Sequence, residues 1–221
     1  MPVPATLLRV LGSLLWLLML GPAGSVAGEE ATAPVVGWPH YGGDPGGLRY
    51  SPLADIRRDN VSSLEVAWTY HTGDVSDGSG DVPATTAFEV TPILMEGTLY
   101  LCSPMNEVIA LDAEIGVRRW SYDPEVDLAG RYANQLVCRG VAFWRDASAA
   151  AGAACGERIL SATNDARLLA LDARSGRPCA DFGNGGQIDL DPGAGPQRFR
   201  GEYQVTSAPV VVGDLVVVGS I

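Results

Sequence analysis

The sequence predicts an all-β fold of repeated four-stranded units, a β-propeller, and three observations predict it. Glycine and proline are abundant, 27 and 15 of 221 residues, which suits many short strands joined by turns better than long helices. No stretch after residue 30 keeps a helical period; short alternating or apolar runs are separated by turn residues instead. The runs also recur. Ala110-Leu111-Asp112-Ala113 returns sixty positions later as Ala170-Leu171-Asp172-Ala173, each followed by glycine at the same offset, Gly116 and Gly176. Pro92-Ile93-Leu94 through Leu101-Cys102-Ser103 is echoed 117 positions on, close to twice sixty, by Pro209-Val210-Val211 through Val218-Gly219-Ser220. Four-stranded units that bury their faces only against neighbours are the blades of a propeller.

In chain order, residues 1–27 read as an address. Arg9 precedes the apolar run Val10–Leu20, Gly21-Pro22 breaks it, and Ser25-Val26-Ala27 offers small residues to a signal peptidase. The run falls short of the roughly 20 residues that span a bilayer, so cleavage after Ala27 is expected, with an uncleaved N-terminal anchor as the other reading. The first full blade is expected as Val90–Leu94, Thr98–Cys102, Glu107–Asp112 and Val117–Tyr122, an antiparallel meander. In its turn, Asp112 bonds backbone amides and Gly116 supplies a positive φ. Trp120 then packs flat between blades, and Trp68 does the same for another. In the second blade, Arg158–Thr163 and Arg167–Asp172 form a strand pair. There Ala180 stands where Trp120 would, with Phe182 nearby, so that blade docks differently. Asp146–Gly156, rich in alanine and glycine, reads as a surface insertion between strands.

Composition excludes several classes. With 47% hydrophobic residues the chain is too apolar for disorder. The net charge is -11 and all 15 basic residues are arginine, which argues against a nucleic-acid partner. Four cysteines, none in a Cys-x-x-Cys pair, fit disulfides in an oxidising compartment rather than zinc. Cys155 and Cys179 flank one strand pair and are expected to bond; Cys102 and Cys138 either form the second bridge or stay buried thiols. Asp74, Asp77 and Asp81 lie in a Gly-Ser loop whose spacing misses a calcium loop. His40 and His71 are too few and too isolated for a metal site or a triad.

Trp38-Pro39-His40-Tyr41-Gly42-Gly43, running on to Arg49-Tyr50-Ser51-Pro52-Leu53, resembles the opening segment of the pyrroloquinoline-quinone-dependent dehydrogenases. So do Phe88-Glu89-Val90-Thr91-Pro92-Ile93 and Leu99-Tyr100-Leu101-Cys102. Val137-Cys138-Arg139-Gly140-Val141 is similar to the membrane-bound glucose dehydrogenase branch, and Val205-Thr206-Ser207-Ala208-Pro209 continues the match to Gly219-Ser220. The ordered set covers roughly residues 37 to 221.

The resemblance implies an eight-bladed propeller with the quinone at its centre beside calcium or magnesium. It implies oxidation of an alcohol or a sugar's anomeric hydroxyl, with electrons passed to ubiquinone or a cytochrome. It assigns cofactor contacts to Glu89, Arg139, Thr206 and Ser220, and puts Gln135 near the substrate. The glucose branch tends to carry histidine at that last position, so a polyol, quinate or another sugar stands beside glucose as the expected substrate. Cys138 has no neighbouring cysteine, whereas the alcohol branch carries an adjacent pair; this favours the sugar or polyol branch. The family's catalytic aspartate and metal ligands come later in the chain, so no catalytic or metal residue is assigned here.

The sequence therefore reads as residues 28–221 of the N-terminal part of a quinoprotein propeller, a leader with two blades and the start of a third. Alone it is expected neither to hold the cofactor tightly nor to turn over. Periplasmic location or attachment to the outer face of the inner membrane is expected from the leader. The alternative is a non-catalytic propeller-repeat scaffold of the cell envelope, which has no reason to bring Glu89, Arg139 and Thr206 together.

Overall fold

The computed structural model describes residues 36–220, and the expected leader and its cleavage point lie outside the described residues. Apolar runs become strands because both faces of the inner strands are covered. The first sheet comprises β1 (Ile93–Met95), β2 (Thr98–Cys102), β3 (Val108–Asp112) and β4 (Arg118–Tyr122), antiparallel in that order. Alternate residues of a strand point to opposite faces. Tyr100, Cys102, Val108 and Ala110 therefore face one way, and Leu101, Ile109 and Leu111 the other, and all are buried. The second sheet repeats the meander with β5 (Ala142–Arg145), β6 (Glu157–Ala162), β7 (Arg167–Asp172) and β8 (Gln187–Asp189). β9 (Val210–Val212) and β10 (Leu215–Val217) form a third, two-stranded hairpin. β1 begins at Ile93 rather than Val90, because the residues before it run beside a different segment, described below.

The sheets stack face to face. Ile93, Tyr100, Cys102, Val108 and Ala110 of the first unit form one cluster with Val141, Ile159, Leu171 and Ala173 of the second. Leu160 and Ala170 of the second pack in turn with Val211 and Val216 of the hairpin. Trp68 and Tyr70 cover the opposite face of the first sheet. This order of layers is the all-β arc of a propeller that the repeat predicts.

The repeated tetrapeptide is the joint between blades. Asp112 accepts hydrogen bonds from the Glu114 and Ile115 amides at 3.0 and 3.2 Å. Asp172 does the same for Ser175, at 2.8 Å. Both turns close at a glycine of positive φ, +69° at Gly116 and +71° at Gly176. Each glycine lies flat beneath an indole from elsewhere in the chain. An added Cβ would come within 2.5 Å of Trp68 at Gly116, and within 2.5 Å of Trp120 at Gly176. The indole N–H of Trp68 donates to the Ala113 carbonyl at 3.3 Å, and that of Trp120 to the Ala173 carbonyl at 3.0 Å. One joint thus occurs twice, sixty residues apart in its turn.

The second blade departs from the first after its glycine: Pro178 and Cys179 contact β7 only briefly, and the fourth strand, β8, begins at Gln187. Cys179, not Ala180, takes the place of Trp120: its amide donates to the Ala170 carbonyl at 2.8 Å, where Trp120 pairs with Ala110 in the first sheet. The reason is a bulge. β4 carries an extra residue between its pairings with Ala110 and Leu111, and the second sheet has none at that point. Cys179 is bonded to Cys155, near the end of the largely exposed Asp146–Gly156 connection between β5 and β6. A covalent link stands there in place of the tryptophan.

Asp172 serves this joint from both oxygens. Its Oδ1 takes the Ser175 amide and hydroxyl, and its Oδ2 takes the Cys155 amide at 2.7 Å. Burial works against its charge, but these hydrogen bonds outweigh burial and hold its carboxyl below its ordinary value. A carboxylate depressed on folding stabilises above its unfolded pKa and loses that contribution as pH falls through the folded value. Asp172→Asn sets an amide N–H against the Cys155 N–H and is expected to cost about 1–3 kcal/mol. Urea denaturation at neutral pH checks this. The deficit should shrink in acid, where the wild-type carboxyl also protonates, and an unchanged midpoint at neutral pH counts against it.

Candidate cofactor site

Each sheet is entered through an extended segment, and these segments lie side by side. The one before β1 runs parallel to the one before β5. The Leu136 amide donates to Thr85 at 2.9 Å, the Ala87 amide to Leu136 at 3.0 Å, and the Thr91 amide to Arg139 at 2.9 Å. The segment before β5 runs parallel to the one before β9, with Ala133 donating to Gly201 at 3.1 Å and Arg139 to Thr206 at 3.0 Å. Residues distant in sequence thereby share one neighbourhood.

Arg139 is its centre. One terminal nitrogen donates to the Thr206 hydroxyl at 2.5 Å, and the other rests 2.9 Å from the Glu89 carboxylate. Thr206 is buried, whereas the side chains of Arg139 and Glu89 remain 38% and 48% exposed, open to a ligand. The structure thus brings three of the four expected cofactor contacts together. Ser220 follows β10 as an exposed residue and makes no side-chain hydrogen bond to this group among the described residues. Gln135 is exposed on the Arg139 segment, one residue before the buried Leu136.

The supporting residues explain how the group is held. Cys138, the neighbour of Arg139, is bonded to Cys102 at the end of β2. The bridge closes a separation of 36 residues, which corresponds to about 3–4 kcal/mol on the loop-entropy estimate. Three amides that no sequence pattern marks, Asn106, Asn164 and Gln204, lie fully buried beside the same segment. Asn106 sits in the turn between β2 and β3 at a φ of +73°, a left-handed conformation that asparagine tolerates. Further along, Tyr132 donates its hydroxyl to the Asp127 carbonyl at 2.9 Å. Burial, with Asp165 and Asp127 nearby, pushes its pKa up to about 12, so it stays a neutral donor.

The donor set suits a flat polycarboxylate. A guanidinium has five N–H donors, and Arg139 turns part of that set toward Thr206 and Glu89. Because Thr206 accepts from Arg139, its own O–H proton is free to donate. Glu89 supplies an acceptor. Cys155, Cys179 and Asp181 also approach one another closely enough to suggest metal ligation. Their two sulfurs are joined in a disulfide, however, and carry no thiolate.

Comparison with known proteins gives a consistent result. The family model for the β-propeller domain of the pyrroloquinoline-quinone (PQQ) glucose/ethanol/alcohol dehydrogenases matches residues 38–221. The quinoprotein glucose dehydrogenase of Gluconobacter oxydans is 37% identical over 199 residues, covering 87% of this chain and 24% of that protein. The quinate/shikimate dehydrogenase (quinone) of Acinetobacter baylyi is 34% identical over 237 residues, covering 97% and 28%. Among solved structures, quinohemoprotein alcohol dehydrogenase from Comamonas testosteroni superposes with a TM-score of 0.63 at 28% identity, covering 85% of this chain and 24% of that one. The chain spans about a quarter of the length of the curated relatives it matches.

Proposed function

The chain belongs to the β-propeller family of pyrroloquinoline-quinone glucose, ethanol and alcohol dehydrogenases, and from that premise we propose that it supplies part of the cofactor site of a quinoprotein dehydrogenase. The observation that carries the proposal is the convergence of Glu89, Arg139 and Thr206 from three successive units. When bound, the quinone supplies the redox chemistry, accepting hydride equivalents from a hydroxyl-bearing substrate. Arg139 binds a ligand carboxylate through its remaining donors and fixes its direction. Thr206 donates its hydroxyl proton to an acceptor at the ligand's edge. Glu89 keeps Arg139 oriented and accepts from a ligand N–H or O–H. Ser220 is a fourth contact in this reading, and Gln135 flanks the substrate.

The substrate is a sugar, a polyol or another alcohol, and the electrons pass to a membrane quinone or a cytochrome. Calcium or magnesium accompanies the cofactor, held by residues outside this group. Two formed disulfides support residence in an oxidising compartment such as the periplasm or the outer face of the inner membrane. The expected leader, residues 1–27, belongs to the same reading.

The test uses the protein expressed from the complete reading frame, supplied with pyrroloquinoline quinone and calcium. Dye reduction is followed with glucose, glycerol, quinate and a primary alcohol. Reduction that requires the added quinone, and is selective for one of these, is expected. Failure to bind the quinone and to reduce dye with any of them overturns the proposal.

A further inference from the structure

The two segments that carry Arg139 and Thr206 are out of step with each other. Six residue steps separate Ala133 from Arg139, while five separate Gly201 from Thr206, although both ends are joined by backbone hydrogen bonds. One backbone donor between them therefore needs a partner from elsewhere. The Asn134 amide finds it in the side chain of Gln204, whose Oε1 accepts at 2.8 Å. Gln204 does not act alone. Its Nε2 donates to Asn164 Oδ1 at 3.2 Å, and Asn164 Nδ2 donates to Asn106 Oδ1 at 2.7 Å. The Asn164 backbone amide donates to that same Asn106 oxygen at 2.8 Å, and Asn164 Nδ2 also reaches the Pro104 carbonyl at 3.3 Å. All three amide side chains are fully buried. They form one directed chain from the Arg139 segment, through the turn between β6 and β7, to the turn between β2 and β3.

We propose that Gln204, braced by Asn164 and Asn106, is a positioning residue that sets the register of the Arg139 segment against the Thr206 segment. Gln204 and Asn164 are hydrogen-bonded through both ends of their amides, and losing either bond would cost its full desolvation, whereas Asn106 is held through its oxygen alone, its Nδ2 having no partner among the described residues. The Gln204 amide thus has one good arrangement, and that arrangement fixes Asn134. Arg139 follows five residues later, with its backbone N–H on Thr206, two residues beyond Gln204. A slip of one residue would break the contact between guanidinium and hydroxyl, because a side chain changes face with each step of an extended segment.

The inference rests on reading Arg139 and Thr206 as cofactor contacts, so its test has two independent readouts. In the cofactor-free protein from the complete reading frame, amide hydrogen exchange is followed by peptide. Gln204→Leu should speed exchange across residues 134–139 by at least about tenfold while leaving β2 and β3 unchanged. In a fluorescence titration at pH 5.5, the same variant should bind pyrroloquinoline quinone about tenfold more weakly. Gln204→Glu is the rescue. Burial keeps its carboxyl protonated at that pH, so it accepts from Asn134 and donates to Asn164, and it should recover most of the affinity.

Unchanged exchange over 134–139 in Gln204→Leu overturns the inference, and so does acceleration spread evenly over the chain. Local acceleration with unaltered quinone affinity overturns it as well, provided Arg139→Ala weakens binding about a hundredfold or more. If Arg139→Ala leaves binding intact, the cofactor reading fails instead, and the exchange result alone decides the register role.

Discussion

Replacing Arg139 by alanine is expected to weaken pyrroloquinoline-quinone binding about a hundredfold or more in the protein from the complete reading frame. Charge-assisted hydrogen bonds to a carboxylate contribute about 1.5–3 kcal/mol each, and a guanidinium can offer two in parallel. At roughly 1.4 kcal/mol per tenfold, two such bonds reach a hundredfold. A second effect has the same sign. Glu89 lies 2.9 Å from the guanidinium, and without it the carboxylate faces a tricarboxylate ligand uncompensated. Adding Glu89→Gln to the alanine variant should therefore restore part of the affinity, by about fivefold. Arg139→Lys keeps the charge and loses the fork, so an intermediate loss of about tenfold is expected. Quenching of tryptophan fluorescence on titration with the quinone measures all three. An alanine variant within threefold of wild type removes Arg139 from the site.

The architecture was legible in the sequence where a residue's task repeats. Ala-Leu-Asp-Ala followed by glycine recurs because the same turn must be capped and the same indole seated in each blade. The strands it terminates, β3 and β7, lie where the repeat puts them. β8 carried no such mark. Gln187–Asp189 is mostly exposed, and a strand with no face to bury shows no apolar period. The replacement of Trp120 was misplaced by one residue, at Ala180 instead of Cys179, because a bulge in β4 adds a residue that counting from glycine does not detect. The Glu89, Arg139 and Thr206 group was legible only through resemblance. The three are fifty and sixty-seven positions apart, and each looks locally like a polar residue at a strand start. The buried amides were not legible at all. Their hydrogen bonds are non-local, and Gln204 takes its role from a one-residue mismatch between segments that meet only in the fold.

Replacing Gly176 by valine is expected to remove more than about 4 kcal/mol of stability, enough to keep the protein from accumulating in folded form. Two costs combine. The backbone sits at φ +71°, where a side chain costs about 1–2 kcal/mol and a branched one more. The added Cβ would lie 2.5 Å from the Trp120 ring, so the indole must leave its seat and give up its hydrogen bond to Ala173. Alanine separates the two. Gly213 has a comparable φ of +60° with nothing within 4 Å of an added Cβ, so Gly213→Ala should cost only the backbone part, about 1 kcal/mol. Gly176→Ala should cost about 2–3 kcal/mol beyond that, on the scale of overpacking a close contact. Gly116→Ala should behave like Gly176→Ala, since Trp68 covers it at the same 2.5 Å. In a Trp120→Ala background the clash is gone, and Gly176→Ala should fall to the Gly213→Ala value. Chemical denaturation of the set decides the matter. Equal costs for alanine at 176 and 213 would mean that the indole yields freely, and the joint between blades would then owe its strength to the strand faces alone.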